Sequence, residues 1–288
     1  MWRSTINYGR KGIAVQAISA VDIAIWDALG HLRGLPVYQL LGGKSRERMP
    51  VYATTARPDL AKDMGFHGAK FPLPFGPANG QEGMVKNVEL VKKWREAVGP
   101  EFPLMIDCWM SLTVPYALEL ARRCEPYNVK WIEEVLPPDD YEGYAEIKAK
   151  NCTTLWTTGE HEYTRWGFRK LLEQKCCDVL QPDITWCGGI TEARRIIALA
   201  SAYNVPVIPH GSSVYSYHLQ ICFPSCPIAE FLVMSPQADK IVSFFGKLFK
   251  DEPLPKDGYV EVPDKPGFGV TLNREELNMI RPYARSKL

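Results

Sequence analysis

Six ionisable residues close six successive apolar runs, and side chains of these types could together hold a metal ion and move a proton. Leu104-Met105-Ile106 ends in Asp107, Val129-Lys130-Trp131-Ile132 in Glu133, and Leu155-Trp156-Thr157-Thr158-Gly159 in Glu160. Val179-Leu180-Gln181-Pro182 ends in Asp183, Val205-Pro206-Val207-Ile208-Pro209 in His210, and Pro227-Ile228-Ala229 in Glu230. Three carboxylates crowded together repel one another unless a cation neutralises them, and hard oxygen donors of this kind suit Mg2+. Any one of them alone reads more simply as a helix cap or a lysine's partner; three in register argue for a metal. In Trp131-Ile132-Glu133-Glu134, strand alternation sends one glutamate into the site. That place goes to Glu133, with Glu134 facing the helices or a barrel-wall partner. Asp183, one run before His210, would fix the tautomer of the imidazole and raise its basicity, as a general base requires. Glu230 reads as a general acid, an orienting acceptor or half of a buried pair. His161, beside Glu160, would touch substrate or support the carboxylates. Lys70 faces either the site or the helices.

The elements that must position these groups follow from the spacing. The six end residues recur at intervals of about two dozen residues, enough for one strand, one turn and one crossover helix. Each run is too short to span a membrane and too continuous for a half-exposed strand, so it reads as a parallel strand buried on both faces. In a closed parallel barrel the C-terminal strand ends converge on one mouth. Runs at Pro50–Thr54 and Gly68–Phe71 bring the count to eight strands within 50–234. Helices are expected at Met84–Val98, Val114–Cys124, Tyr141–Lys150, Arg165–Glu173 and Thr191–Tyr203. Upstream, Ala14–Leu41 reads as a helix with Val15, Ile18, Val21, Ile25, Ala28 and Leu29 on one buried stripe. Gly34-Leu35-Pro36 interrupts it. Residues 235–288 carry turn-fixing prolines among buried-type aromatics and read as an ordered tail wrapping back over this helical prelude.

Composition excludes several classes. A net charge of +1, from 34 basic and 33 acidic residues, leaves no basic stripe for nucleic acid. The eight cysteines include no CxxC pair and read as free thiols in a reducing compartment. Ile13 to Ile25 is broken by Gln16 and Asp22, and no run reaches the roughly 18 apolar residues of a spanning helix. The expectation is a soluble, cytoplasmic protein without a membrane partner. No P-loop, GxGxxG or nucleophile elbow is present.

Several motifs taken together resemble the acid-sugar dehydratases of the enolase superfamily, and within them the L-rhamnonate dehydratase group. These are Asp107-Cys108-Trp109-Met110-Ser111, Trp131-Ile132-Glu133-Glu134, Gly159-Glu160-His161, Gln181-Pro182-Asp183 and the stretch from Pro209 to Ser216. The likeness continues through Ala56–Lys62 and Asp264–Val270. It implies an α/β fold with a TIM-like (β/α)7β barrel at 49–234. Residues 1–48 would be the helical remnant of an N-terminal α+β capping domain, most of it missing, with 235–288 packed back on it. It further implies that Asp107, Glu133 and Glu160 hold Mg2+, which binds the substrate carboxylate and stabilises an enediolate. His210, oriented by Asp183, would take the C2 proton and Glu230 would donate one. Loss of the C3 hydroxyl then gives a 2-keto-3-deoxy sugar acid, with Lys70 and His161 contacting substrate. Many superfamily members have a second lysine two residues after the first, where this chain has Pro72. That disfavours the racemases and epimerases, which want two bases. The missing cap raises the alternative of a catalytically silent metal-binding barrel. It also predicts slow turnover and self-association into a homo-oligomer through the bared prelude helices.

Overall fold

The structure, a computed structural model, describes residues 1–151 and 153–275. Cys152, expected as a free thiol, and residues 276–288 of the expected tail lie outside the described residues. Seven parallel strands form a curled sheet: β1 (Met49–Thr54), β2 (Ala69–Pro72), β3 (Leu104–Asp107), β4 (Val129–Glu133), β5 (Leu155–Thr158), β6 (Val179–Leu180) and β7 (Ala229–Leu232). Their order is β6-β5-β4-β3-β2-β1-β7, so the chain winds around in sequence and β7 returns to pair with β1. The run ending at His210, expected as a full strand, contributes only isolated parallel bridges, Leu180 to Val207 and Asp183 to His210. Pro206 and Pro209 explain the difference, because neither can donate to a ladder.

Period-two alternation builds the interior. Tyr52, Met105, Trp131, Val179 and Ile208 form one buried apolar cluster with Ile228 packed against it. Two residues further along the same strands stand Asp107, Glu133, His210 and Glu230. A floor of apolar side chains therefore lies directly beneath a layer of polar ones, both on the inward face. The outward residues, Ile106, Ile132 and Leu180 among them, pack on the surrounding helices in the main core.

Those helices are α4 (Pro58–Asp63), α5 (Gly80–Val98), α6 (Val114–Cys124), α7 (Tyr141–Lys150), α8 (Thr164–Glu173) and α9 (Gly189–Ala202). The last five match the expected spans within a few residues. A short helix after His210 (Val214–Gln220) was not foreseen. It is buried almost throughout, so it has no polar face to give it a period. The seven described cysteines are free thiols.

The prelude departs from expectation. It begins with a single turn, Trp2–Thr5, followed by the long helix Ile13–Arg33 and, after Gly34-Leu35-Pro36, the short helix Val37–Leu40. The long helix buries Val15, Ser19, Ile23 and Gly30, while Val21, Ile25 and Leu29 of the expected core stripe face outward. Polar groups decide the docking face. Ser19 accepts from Gly188 N–H, Asp22 from Thr191 N–H and Asp27 from Phe268 N–H, and the Trp26 indole donates to Thr191. Gly30 is required there, since a Cβ would stand 2.6 Å from Gly267 Cα. Contrary to the expectation of no spanning-length run, this helix is long and apolar enough, by length and composition alone, to cross a membrane.

The tail crosses this prelude. A short strand, β8 (Tyr259–Val260), pairs antiparallel with β1, and Gly267 bonds Leu35 and Val37 through its backbone. His218 ties the pieces together: its Nδ1 accepts from Tyr38 N–H at 3.2 Å, and its Nε2 donates to the Phe268 carbonyl at 3.0 Å. Burial pushes this imidazole down to about 3, while the Phe268 carbonyl opposes that shift and Lys44 and Asp264 act in opposite senses. An unfolded histidine binds its proton near about pH 6.5, whereas the folded one does not until near pH 3. Stability should therefore be fully present above pH 6.5 and fall with acidification, by up to about 1.4 kcal/mol per pH unit. Urea titrations of the parent and of His218→Gln between pH 7 and 4 measure this. An equally steep acid limb in both proteins would show that His218 is not its source.

Candidate active site

The polar layer gathers at the C-terminal mouth of the sheet. Ligand-type oxygens of Asp107, Glu133 and Glu160 lie within 4.8 Å of one another, on three neighbouring strands. β3 and β4 pair with Asp107 directly opposite Glu133. Gly159, with φ 133°, swings the chain at the end of β5 so that Glu160 joins them. A Cβ on Gly159 would press 3.1 Å from Gln181 N, which reserves the position for glycine.

Two of the three carboxylates feel the crowding. Burial, opposed by Lys70 and reinforced by Asp107 and Glu230, pushes Glu133 up to about 8. Burial likewise pushes Glu160 up to about 7, with His210 opposing and Glu134 adding to it. Glu133 also accepts from Gln181 Nε2 at 2.6 Å and Trp131 Nε1 at 3.1 Å, which fixes its orientation. Three convergent oxygens with surplus negative charge, two of them 5% exposed or less, fit a divalent cation.

Lys70 sits at the centre of this layer rather than at its rim. Its ammonium bonds Glu133, lies 2.9 Å from Glu230 Oε1 and 3.4 Å from Asp107 Oδ2, and is 1% exposed. Although burial opposes it, the carboxylates of Glu133, Glu230 and Asp107 raise its pKa well above the usual lysine value. The structure places the ammonium among three carboxylates, as their buried counter-ion.

Asp183 and His210 form a dyad. His210 Nδ1 stands 2.7 Å from Asp183 Oδ2, and because an ionised carboxylate only accepts, the Nδ1 carries the proton. The other Asp183 oxygen accepts from Thr185 N–H and Oγ1, each at 2.6 Å, and from Ser212 Oγ at 3.1 Å. His210 Nε2 is left facing the mouth, 3.6 Å from Glu160 Oε2. Burial alone would lower the imidazole, but Glu230, the bond to Asp183 and Glu160 outweigh it and push it up to about 10. With the carboxylates unneutralised the imidazole is therefore a cation in a fixed orientation, and a metal ion that neutralised Glu160 would lower it and free Nε2 to act as a base.

Glu230, expected as a proton donor, accepting group or buried partner, has both oxygens engaged as acceptors. One oxygen pairs with Lys70 and accepts from Thr54, and the other accepts from Gly211 N–H at 2.7 Å. Burial would raise it, yet Lys70, then His210 and Thr54, pull it down to about 2. It is held ionised and orients the loop that follows His210.

Of the two places expected for Glu134, among the helices or against a barrel-wall partner, the structure shows the second. It adopts φ 45°, which breaks strand alternation and keeps its carboxylate near the mouth. There it meets His161 Nδ1 at 2.8 Å, a second imidazole–carboxylate pair. This pair and Glu160 make a second three-ligand group. Trp109 and Met110 are left-handed too, at φ 42° and 62°. Side chains in this region cost about 1–2 kcal/mol each, and such strain collects at functional sites. Sequence reasoning missed Gln181, Ser212 and Trp186. Gln181 alone left a signal, two residues before Asp183 on the inward face.

Comparison with known proteins places the chain. A family profile described as "Enolase C-terminal domain-like" matches residues 55–277. A second, for the mandelate racemase/muconate lactonizing enzyme N-terminal domain, matches residues 3–42. The chain belongs to the enolase superfamily. An L-rhamnonate dehydratase of Saccharopolyspora erythraea is 54% identical over 284 residues, which are 98% of this chain and 73% of that protein. The crystal structure of rhamnonate dehydratase from Gibberella zeae complexed with Mg superposes with a TM-score of 0.94 at 52% identity. The match covers 96% of this chain and 68% of that one. A 3,6-anhydro-D-galactonate cycloisomerase from Zobellia galactanivorans has a TM-score of 0.82 at 32% identity, covering 95% of this chain and 78% of that one. This enolase-superfamily enzyme therefore carries both of the features that its barrel mouth displays: an acid cluster and a histidine–aspartate dyad.

Proposed function

We propose that this chain dehydrates a sugar acid, L-rhamnonate or a close analogue, to the 2-keto-3-deoxy acid, with Mg2+ as cofactor. The observation that carries this reading is the meeting, in one mouth, of the Asp107–Glu133–Glu160 cluster and the His210–Asp183 dyad, 3.6 Å apart at Glu160 and His210. The names of its relatives, 54% and 52% identical, support the substrate class. A Mg2+ ion bound by the three carboxylates would draw charge from the substrate carboxylate as the C2 proton leaves.

His210 Nε2 takes that proton, and Asp183 holds the resulting imidazolium in place. The C3 hydroxyl must then leave with a proton. Both Glu230 oxygens are engaged, one with Lys70 and one with Gly211 N–H, so His210, which has just been protonated, returns the proton to the departing oxygen. Water is released and the enol becomes the 2-keto acid. Lys70 bridges Glu133 and Glu230, and Trp131 and Gln181 fix the carboxylate of Glu133. A racemase would need a base on the opposite face of C2, and the Lys70 ammonium is enclosed by carboxylates.

Incubation with L-rhamnonate and Mg2+, followed by assay for the 2-keto-3-deoxy acid, tests this directly. Chelation should abolish turnover. Asp107→Asn and Glu160→Gln should each weaken Mg2+ binding by at least about tenfold, the loss of one charged ligand being worth well over 1.4 kcal/mol. Turnover that survives complete chelation would overturn the reading.

A further inference from the structure

We propose that the indoles of Trp109 and Trp186 form an apolar subsite for the methyl-terminated end of a 6-deoxy sugar acid. The inference rests on the dehydratase reading for its substrate class and adds what selects within that class. It begins from an oddity: Trp109 is 66% exposed, yet it sits two residues after Asp107 at the most polar point of the mouth.

The exposure is built in. Trp109 and Met110 are both left-handed, at φ 42° and 62°, and neither is a glycine. Their amides are pinned, Trp109 N–H to Asp107 Oδ1 at 3.0 Å and Met110 N–H to the Glu134 carbonyl at 2.5 Å. The same backbone that aims the Asp107 carboxylate inward therefore holds the indole outward above it. Side chains in this conformation persist where the surroundings enforce them, and such enforcement gathers at ligand contacts.

The indole joins a row of rings. Centroids lie 6.4 Å apart from Trp109 to His161, 5.3 Å from His161 to Trp186 and 5.6 Å from Trp186 to His210. His161 and His210 in this row are the rings paired with Glu134 and Asp183, so the two indoles stand beside the groups that would take the charged and reacting end of a sugar acid. A six-carbon chain whose carboxylate sat at the cluster would leave its far end to meet the neighbouring rings. An indole offers one N–H and no acceptor, so its face favours C–H groups over hydroxyls. A terminal methyl suits that surface better than a hydroxymethyl.

L-rhamnonate and L-mannonate share their configuration and differ only by the hydroxyl at C6, so they isolate this contact. Trp186 stands between the two imidazoles, and altering it would disturb both dyads. Trp109 is therefore the position to vary. Trp109→Asn tolerates a left-handed backbone and removes the apolar face, while Trp109→Phe keeps most of it. The ratio of kcat/KM for L-rhamnonate over L-mannonate should fall about tenfold in Trp109→Asn and little in Trp109→Phe, with Mg2+ affinity unchanged. An unchanged ratio in Trp109→Asn overturns the subsite. So does a ratio that falls only together with Mg2+ affinity, because the indole would then act through Asp107. Should the parent dehydrate neither acid, the dehydratase reading fails by itself. The calorimetric affinities of the two acids in Mg2+ then decide the subsite. A preference for L-rhamnonate in the parent that Trp109→Asn loses supports it, and its absence in the parent overturns it.

Discussion

Replacing His210 by asparagine is expected to abolish exchange of the substrate C2 proton with solvent and to lower kcat by about 10²–10⁴, the usual cost of losing a general base. The imidazole turns Nε2 toward Glu160 at 3.6 Å, its other nitrogen being committed to Asp183 at 2.7 Å, so neutralising Glu160 with a cation is what would free it to accept the proton. Asparagine preserves a donor toward Asp183, so the loop and the carboxylate cluster should survive. Mg2+ affinity should stay near that of the parent. The exchange experiment in deuterated water separates proton removal from the later loss of water. Exchange at the parental rate would transfer the base role to another group, and Lys70 is a poor candidate because its ammonium is 1% exposed and ringed by three carboxylates.

Lys70→Met should be among the most destabilising single substitutions in the chain, by about 3–5 kcal/mol, the range for stripping one partner from a buried ion cluster. Methionine nearly matches the lysine stem in volume, so the loss is one of charge rather than packing. Asp107, Glu133 and Glu230 would then face one another without a counter-ion. At about 2–4 °C per kcal/mol for a chain of this size, the melting temperature should fall by roughly 10 °C. Mg2+ at about a hundred times its Kd should restore about 2.7 kcal/mol if the carboxylates hold it. Melting curves with and without Mg2+ give both numbers. A variant that melts with the parent would mean that the carboxylates shed their charge on folding and need no lysine.

Much of the site was legible in the sequence because parallel strands impose a period of two and a repeat of fixed length. Apolar residues such as Met105, Trp131, Ile208 and Ile228 each precede a polar residue by two, and that pattern alone puts Asp107, Glu133, His210 and Glu230 on one interior face. The pairing of Asp183 with His210 followed from their equal depth on adjacent runs, and the structure joins them by a bridge and a hydrogen bond.

What the sequence left open was settled by groups that answer to partners distant in the chain. Glu134 is held near the mouth by a left-handed backbone and by His161, which no alternation rule foresees. Lys70 was placed at the centre, and Glu230 was made an ionised acceptor, by charges brought from β3, β4 and β7. The prelude helix turned its most regular apolar stripe outward because Ser19, Asp22, Trp26 and Asp27 found hydrogen-bond partners on α9 and the tail. Local periodicity records which residues share a face. Which face is buried, and what charge each group carries there, depends on atoms that only the folded chain brings within a few ångströms.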